Sequence, residues 1–206
     1  MQQNSKADLE NIHPLQGHKV GRPEKEALLK QHGKVLWLTG LSGSGKSTLA
    51  KGLEERLIAS GHLTMLLDGD NLRTGLNSNL SFTEADRLEN IRRVAEVSRL
   101  FLSAGVITIN SFISPTLEIR EMARKIIGPE DFLEVYVNSP LAVCEDRDVK
   151  GLYEKARNGE ILNFTGIDAP FEEPESPAFE IRTDKFSIEE SVQRLYHFLQ
   201  SHISIS

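Results

Sequence analysis

The segment Gly40-Leu41-Ser42-Gly43-Ser44-Gly45-Lys46-Ser47 fits the pattern G-x-x-x-x-G-K-[ST], which suits it to holding a polyphosphate. Its glycines let successive backbone N–H groups converge on phosphate oxygens at the start of a helix. Lys46 reaches the outer phosphates, and the Ser47 hydroxyl is a ligand for Mg2+. A nucleoside triphosphate site follows, though not yet a reaction.

Two carboxylates stand next along the chain, Asp68 and Asp70, separated by Gly69. An acid at the end of a later strand commonly serves Mg2+ in such enzymes. The third apolar run ends Ile109-Asn110-Ser111 without one, so Asp68 and Asp70 are the nearest candidates. Either can act as a general base toward a substrate hydroxyl or as a ligand to Mg2+ or its waters; the alternative is an Asp-Gly turn with solvated acids. Arg73, Arg87, Arg92 and Arg93 cluster with Asn90, and Arg87 and Asn90 share a helix face. Guanidinium groups bind phosphate or sulfate bidentately, so a second anionic substrate is expected, against a solvated helix face. Phe82 either stacks on a base or packs in a core. Lys150, Lys155, Arg157 and Phe164 form a basic and aromatic mixture suited to closing over phosphates, or a solvated loop.

The elements that must place these groups alternate. Val35 to Thr39 reads as a strand, Ser47 to Ser60 as a helix closed by Gly61, and Leu63 to Leu67 as a second strand. Thr83 caps a helix to about Ala104, with Leu88, Ile91, Ala95, Ser98 and Leu102 on one face, and Gly105 stops it. Strand Val106 to Asn110, helix Leu117 to Ile127, strand Phe132 to Val137 and a helix opened by Pro140 follow. Phe179 to Thr183 and Ser187 to His202 supply a last strand and a closing helix. The expectation is an α/β fold, a three-layer sandwich around a mainly parallel five-stranded sheet, with ligands at the carboxyl ends of its strands. Residues 1–33 are expected as an extension outside the main fold, with only a short helix at Glu24 to Gln31. Residues 34–206 form the domain, and about 150–177 a lid.

Composition narrows the function classes. With 24 Lys+Arg against 30 Asp+Glu, the net charge of -6 disfavours general attraction to nucleic acid or anionic membrane, so an anionic ligand needs a local basic site. No apolar stretch reaches the roughly 18 to 20 residues that span a bilayer. Six histidines lack metal-ligand spacing. Cys144 stands alone and reads as a small structural residue, and Met1-Gln2-Gln3-Asn4 lacks the start of a signal peptide. The expected compartment is the cytoplasm.

Together the motifs resemble the adenylylsulfate kinase family of P-loop kinases. The residues that carry the resemblance are 37–48, Asp68-Gly69-Asp70-Asn71-Leu72-Arg73, Gly75-Leu76-Asn77, Asp86-Arg87, Glu89-Asn90-Ile91-Arg92-Arg93, Phe112-Ile113-Ser114-Pro115, Lys150-Gly151-Leu152-Tyr153 and Phe164-Thr165-Gly166-Ile167-Asp168. They cover about residues 34–200 in the family's order. The resemblance implies phosphorylation of the 3'-hydroxyl of adenosine 5'-phosphosulfate (APS) by ATP with Mg2+, giving 3'-phosphoadenosine 5'-phosphosulfate (PAPS) in sulfate assimilation. It implies that residues 40–48, through Thr48, hold ATP, with Lys46 catalytic and Ser47 on the metal. It implies that Asp68, Asp70, Ile113 and Ser114 belong to the APS site, that Arg73, Arg87 and Asn90 hold the phosphosulfate, that Phe82 and Phe164 sandwich adenine, and that Lys150 closes the lid. A homodimer and a link to ATP sulfurylase are implied as well. Ser114 matches a family serine described as a phosphoserine intermediate, yet direct transfer to a hydroxyl oriented by Asp68 needs no such relay. The chain departs from the family pattern at Val149, Glu154, Ala169 and Phe171. Two other readings compete: a non-catalytic APS or PAPS sensor, which would lack Lys46 and Ser47, and another small-molecule P-loop kinase, which would need no adenine sandwich.

Overall fold

The computed structural model describes residues 20–205 and, upstream of them, His13 alone. Five strands, β1 (Val35–Thr39), β2 (Thr64–Asp68), β3 (Ile107–Ser111), β4 (Phe132–Asn138) and β5 (Phe179–Arg182), form one sheet in the order β2-β3-β1-β4-β5. Every pairing is parallel. Central β1 is buried along its whole length, as a parallel strand covered on both faces must be. Its residues alternate between two cores. Leu36 and Leu38 pack with helices α2 (Lys46–Ala59) and α8 (Ile188–Ile203), whereas Val35 and Trp37 pack with α4 (Glu84–Ser103) and α5 (Leu117–Ile127). This is the three-layer sandwich expected from the alternation.

Local chemistry starts the helices where the sequence indicates. Thr83 Oγ1 accepts from Asp86 N at the head of α4, and Thr116 Oγ1 accepts from Ile119 N at α5. Ser187 and Glu190 form a capping box at α8. Strands β2 and β3 end one residue later than expected. The register Asp68↔Ser111 and Leu38↔Ser111 therefore brings Asp68, Ser111 and the turn after Thr39 to one edge of the sheet.

Two expectations are corrected. Residues 22–33 do not lie outside the main fold, because α1 (Arg22–Leu29) is docked on it through polar anchors. Arg22 donates to Asp131 Oδ1 at 2.9 Å and to Gly33 O at 3.0 Å, and fully buried Gln31 donates to Leu63 O and Gly105 O, both at 2.9 Å. These anchors are polar, so the apolar periodicity that marks a packed helix is weak there. Apart from His13, Val20 and Gly21, the rest of the 1–33 extension lies outside the described residues. The segment expected as a lid, in turn, is not a plain loop. Helix α6 (Leu141–Arg147) precedes it and α7 (Leu152–Arg157) stands near its start, and Cys144, Tyr153, Ala156 and Phe164 build a separate small core reached by Leu41 and Leu141.

Candidate functional site

The phosphate loop runs from β1 to α2 and is pressed against its surroundings. Gly40 has φ +151°, and a Cβ there would stand 2.5 Å from Val137 O. At Gly43, φ +72°, it would stand 2.8 Å from Cys144 O. Only glycine fits either position. The Lys46 side chain folds back along the loop, Nζ donating to Gly40 O at 2.9 Å and Leu41 O at 2.7 Å. Burial pushes its ammonium down to about 8, since two carbonyls replace only part of the water that would solvate the charge. The loop therefore holds a cation whose charge an incoming anion would stabilise.

Ser47 Oγ donates to Asp68 Oδ2 at 2.8 Å and lies 3.1 Å from Ser111 Oγ. Asp68 also caps α3 (Gly69–Arg73), accepting from Asp70 N at 3.1 Å. Among the described residues no cluster of three or more His, Cys, Asp or Glu could hold a metal. The hydroxyl of Ser47 and the carboxylate of Asp68 are nonetheless hard oxygen donors in contact. They suit Mg2+, which takes one or two protein oxygens and completes its shell with phosphates and water.

One cavity of about 1010 Å³ joins the phosphate loop to the second half of the site. From the loop, Ser42, Gly43, Gly45, Lys46, Ser47 and Thr48 line it, while Gly40, Leu41 and Ser44 form the loop's back. Asp68, Asp70, Arg73, Phe82, Arg87, Asn90, Ile113, Ser114, Lys150 and Phe164, dispersed over nearly a hundred residues of sequence, all reach the same cavity. The guanidinium of Arg73 stacks 4.2 Å from the centre of the exposed Phe82 ring and donates to Ser81 O at 3.0 Å. Arg87 donates to Phe82 O at 3.0 Å, Asn163 O at 2.8 Å and Thr165 Oγ1 at 3.2 Å, binding α4 to the lid. Phe164 is buried edge-on to Tyr153 with ring centres 5.0 Å apart. Lys150, ahead of α7, pairs with Asp70, and both line the cavity.

Ser114 stands apart from the nucleophile that the family resemblance implies. It is buried with a left-handed backbone, φ +40°. Its Oγ accepts from Trp37 Nε1 at 3.0 Å and donates to Thr39 Oγ1 at 3.1 Å, and its carbonyl accepts from Arg120 Nη1 at 2.8 Å. No base touches it. Arg92 and Arg93, placed in the anion cluster by the sequence, pair instead with Glu89, whose carboxyl they hold down to about 2. Lys155 and Arg157 also stay outside the cavity, Arg157 pairing with Glu145.

Among the residues of the site that escape a sequence reading are Ser111, Arg147 and Thr183. Arg147 donates to Gly43 O at 3.2 Å and Thr183 O at 2.8 Å, and Thr183 Oγ1 donates to Ser44 O at 2.7 Å. Ser111 and Thr183 stand at or just past the carboxyl ends of β3 and β5, where this architecture places its ligands. That topological rule was the one signal available for them.

The family model described as adenylylsulphate kinase matches residues 32–182. An adenylyl-sulfate kinase of Bacteroides fragilis (strain YCH46) is 60% identical over 194 residues, covering 94% of this chain and 96% of that protein. A Clostridium acetobutylicum adenylyl-sulfate kinase is 58% identical over 89% of this chain and 92% of its own length. The structure of the Mycobacterium tuberculosis APS kinase CysC in complex with AMPPNP and APS superposes with a TM-score of 0.79 at 47% identity, covering 82% of this chain and 98% of that one.

Proposed function

The chain belongs to the adenylylsulfate kinase family, and we propose that Asp68 orients and deprotonates the acceptor hydroxyl while the phosphate loop presents the donor. The enzyme uses ATP to phosphorylate the 3'-hydroxyl of APS, giving PAPS and ADP in sulfate assimilation. The observation that carries the assignment of roles is one shared cavity. Lys46, Ser47 and Asp68 line it together with Arg73, Phe82, Arg87, Asn90 and Phe164, and Asp68 touches Ser47 directly.

Phosphoryl transfer asks a protein mainly for alignment and for charge placed where it develops. Lys46 neutralises the transferring group, and the backbone N–H groups of 40–47 hold the polyphosphate in place. Ser47 and Asp68 would hold Mg2+, which would add charge neutralisation at the polyphosphate. Arg73, Arg87 and Asn90 hold the phosphosulfate, and adenine lies by Phe82 and Phe164. Asp70 and Lys150 form a latch between the body and the lid. Ser114 shapes the floor, and transfer to APS is direct.

An intact Lys46 and Ser47 speak against a sensor without turnover, and the aromatic pair with two arginines speaks against a sugar kinase. We place the enzyme in the cytoplasm as a homodimer supplied with APS by ATP sulfurylase; the single buried Cys144 accords with a reducing compartment. The decisive measurement is ADP release with and without APS. Release that depends on APS supports the reading, and release that ignores APS, or that follows a sugar, overturns it.

A further inference from the structure

Asn90 lines the cavity, and Asn77 stands directly behind it without reaching it. Asn77 is fully buried, and its Nδ2 donates to Asn90 Oδ1 at 2.9 Å. Its backbone is fixed by Asn77 N donating to Leu72 O at 2.8 Å and Leu80 N donating to Asn77 O at 3.0 Å. On either side, Arg93 Nη1 grips the turn, donating to Leu76 O at 3.1 Å and Asn79 Oδ1 at 2.8 Å. The arginine that the sequence places among the anion binders thus holds the loop that carries Asn77.

An amide has one acceptor oxygen and one donor nitrogen, and turning it end for end exchanges them. Asn77 occupies the Asn90 oxygen, so the Asn90 Nδ2 donor is left for the cavity; no described residue takes it up. Asn77 Oδ1 is then a buried acceptor without a partner. The reversed arrangement would bury the two N–H groups of Asn77 without an acceptor and would present the Asn90 oxygen to the ligand beside Arg87. Orphaned buried donors are rarer in proteins than orphaned acceptors, so the observed sense is the favoured one.

We propose that Asn77 is a positioning residue that locks the Asn90 amide with its donor outward, so that Arg73, Arg87 and Asn90 present only N–H donors. Such a wall accepts a ligand rich in acceptors, such as a phosphosulfate ester with its ribose, and rejects one that brings a donor to the same place. This rests on the assignment of APS to that end of the cavity.

The test is Asn77→Asp in the full chain, with APS and ATP affinities measured separately by calorimetry and kcat measured at saturating APS. A carboxylate only accepts, so it draws Asn90 Nδ2 inward and turns the Asn90 oxygen to the ligand. APS affinity should fall about tenfold or more, the scale of one hydrogen bond to a charged group turned unfavourable. ATP affinity and saturated kcat should hold within about twofold. Asn77→Ala frees Asn90 without burying a charge and should give a smaller fall in APS affinity. In an Asn90→Ala background, Asn77→Asp should add nothing further to the APS loss. Unchanged APS affinity in both Asn77 variants, an equal loss for APS and ATP, or a full further loss in the Asn90→Ala background overturns the proposal. Failure of the wild-type protein to bind APS at all would instead overturn the kinase assignment, and it would be seen before any variant is made.

Discussion

Ser47 Oγ donates to Asp68 Oδ2 across 2.8 Å, so the first turn after the phosphate loop and the end of β2 are joined by a single contact. The residue proposed to face the donor phosphates and the residue proposed to face the acceptor hydroxyl are therefore neighbours in space although twenty-one positions apart in sequence. Asp70 has no such contact with the phosphate loop, which is why the proposed roles of base and metal ligand fall to Asp68. Asp70 is largely exposed and engaged with Lys150.

Exchanging each carboxylate for its amide separates these roles. Asp68→Asn keeps size and reach but removes the charge, and kcat should fall by roughly 10² to 10⁴, the usual contribution of a positioned base. APS affinity should change little. Asp70→Asn breaks an exposed ion pair worth about 0 to 1 kcal/mol and should alter lid closure with only a modest effect on kcat. Steady-state rates with APS and ATP varied independently decide the matter, and a larger kcat loss for Asp70→Asn would interchange the two assignments.

Lys46 makes a prediction about pH. Its folded pKa, about 8, lies below the ordinary 10.5 of the unfolded chain. Between those values the unfolded state binds more protons, so stability should rise with pH across the window. Below pH 8 both states are protonated and the full burial penalty applies, on the order of 3 kcal/mol. Lys46→Met removes that penalty, offset in part by the lost bonds to Gly40 O and Leu41 O. Its urea midpoint should therefore exceed wild type at pH 7, and the difference should shrink toward pH 10, while PAPS formation is abolished. Nucleotide binding should restore the charge, so ATP should bind with proton uptake near pH 8 to 9 and without it at pH 6. Calorimetry in buffers of different ionisation enthalpy would show this.

How much of this was legible beforehand depended on where the signal lay. The β1 run and the glycine loop are local patterns, and the side chains that reach the cavity from 68 to 164 are polar and aromatic residues, with Ile113, in specific motifs; both kinds are visible in one dimension. Arg92 and Arg93 look like Arg73 and Arg87 in sequence. Only the direction of each side chain from α4 and α3 separates an intrahelical pair with Glu89 from a wall of the cavity. Arg147 and Thr183 act by holding carbonyls of the phosphate loop, and a hydrogen bond to a distant backbone leaves no trace in residue type. The docking of α1 was hidden for the same reason, since its anchors, Arg22 and Gln31, are residues commonly found at surfaces.

That docking carries its own expectation. Arg22→Met leaves Asp131 with only Lys34, and Glu26 with His32 and Gly33 N. Losing charged hydrogen bonds at a partly buried site should cost about 1 to 3 kcal/mol in unfolding free energy. The site is remote from the cavity, so kcat and both affinities should match wild type. A variant with wild-type stability would mean that α1 contributes nothing to the domain, whatever its contacts.

Ser114 decides between direct transfer and a phosphoserine relay. A relay needs an Oγ that can lose its proton to a base, reach the γ-phosphoryl group, and later release it to APS. Here the Oγ proton is given to Thr39 Oγ1, the lone pairs face Trp37 Nε1, and the residue is buried at a strained φ of +40°. Phosphorylating it would place roughly two negative charges against an indole N–H and a threonine in the core. Ser114→Ala should therefore retain measurable turnover. The loss expected is about 1 to 3 kcal/mol in transition-state stabilisation, because the Trp37 donor loses its acceptor and the floor beneath APS relaxes. Incubation of the wild-type enzyme with γ-labelled ATP in the absence of APS should leave no stoichiometric label on the protein. Label on Ser114 that passes to added APS at the turnover rate would establish the relay, and the hydrogen bonds around Oγ would then have to belong to a resting state that the enzyme leaves in every cycle.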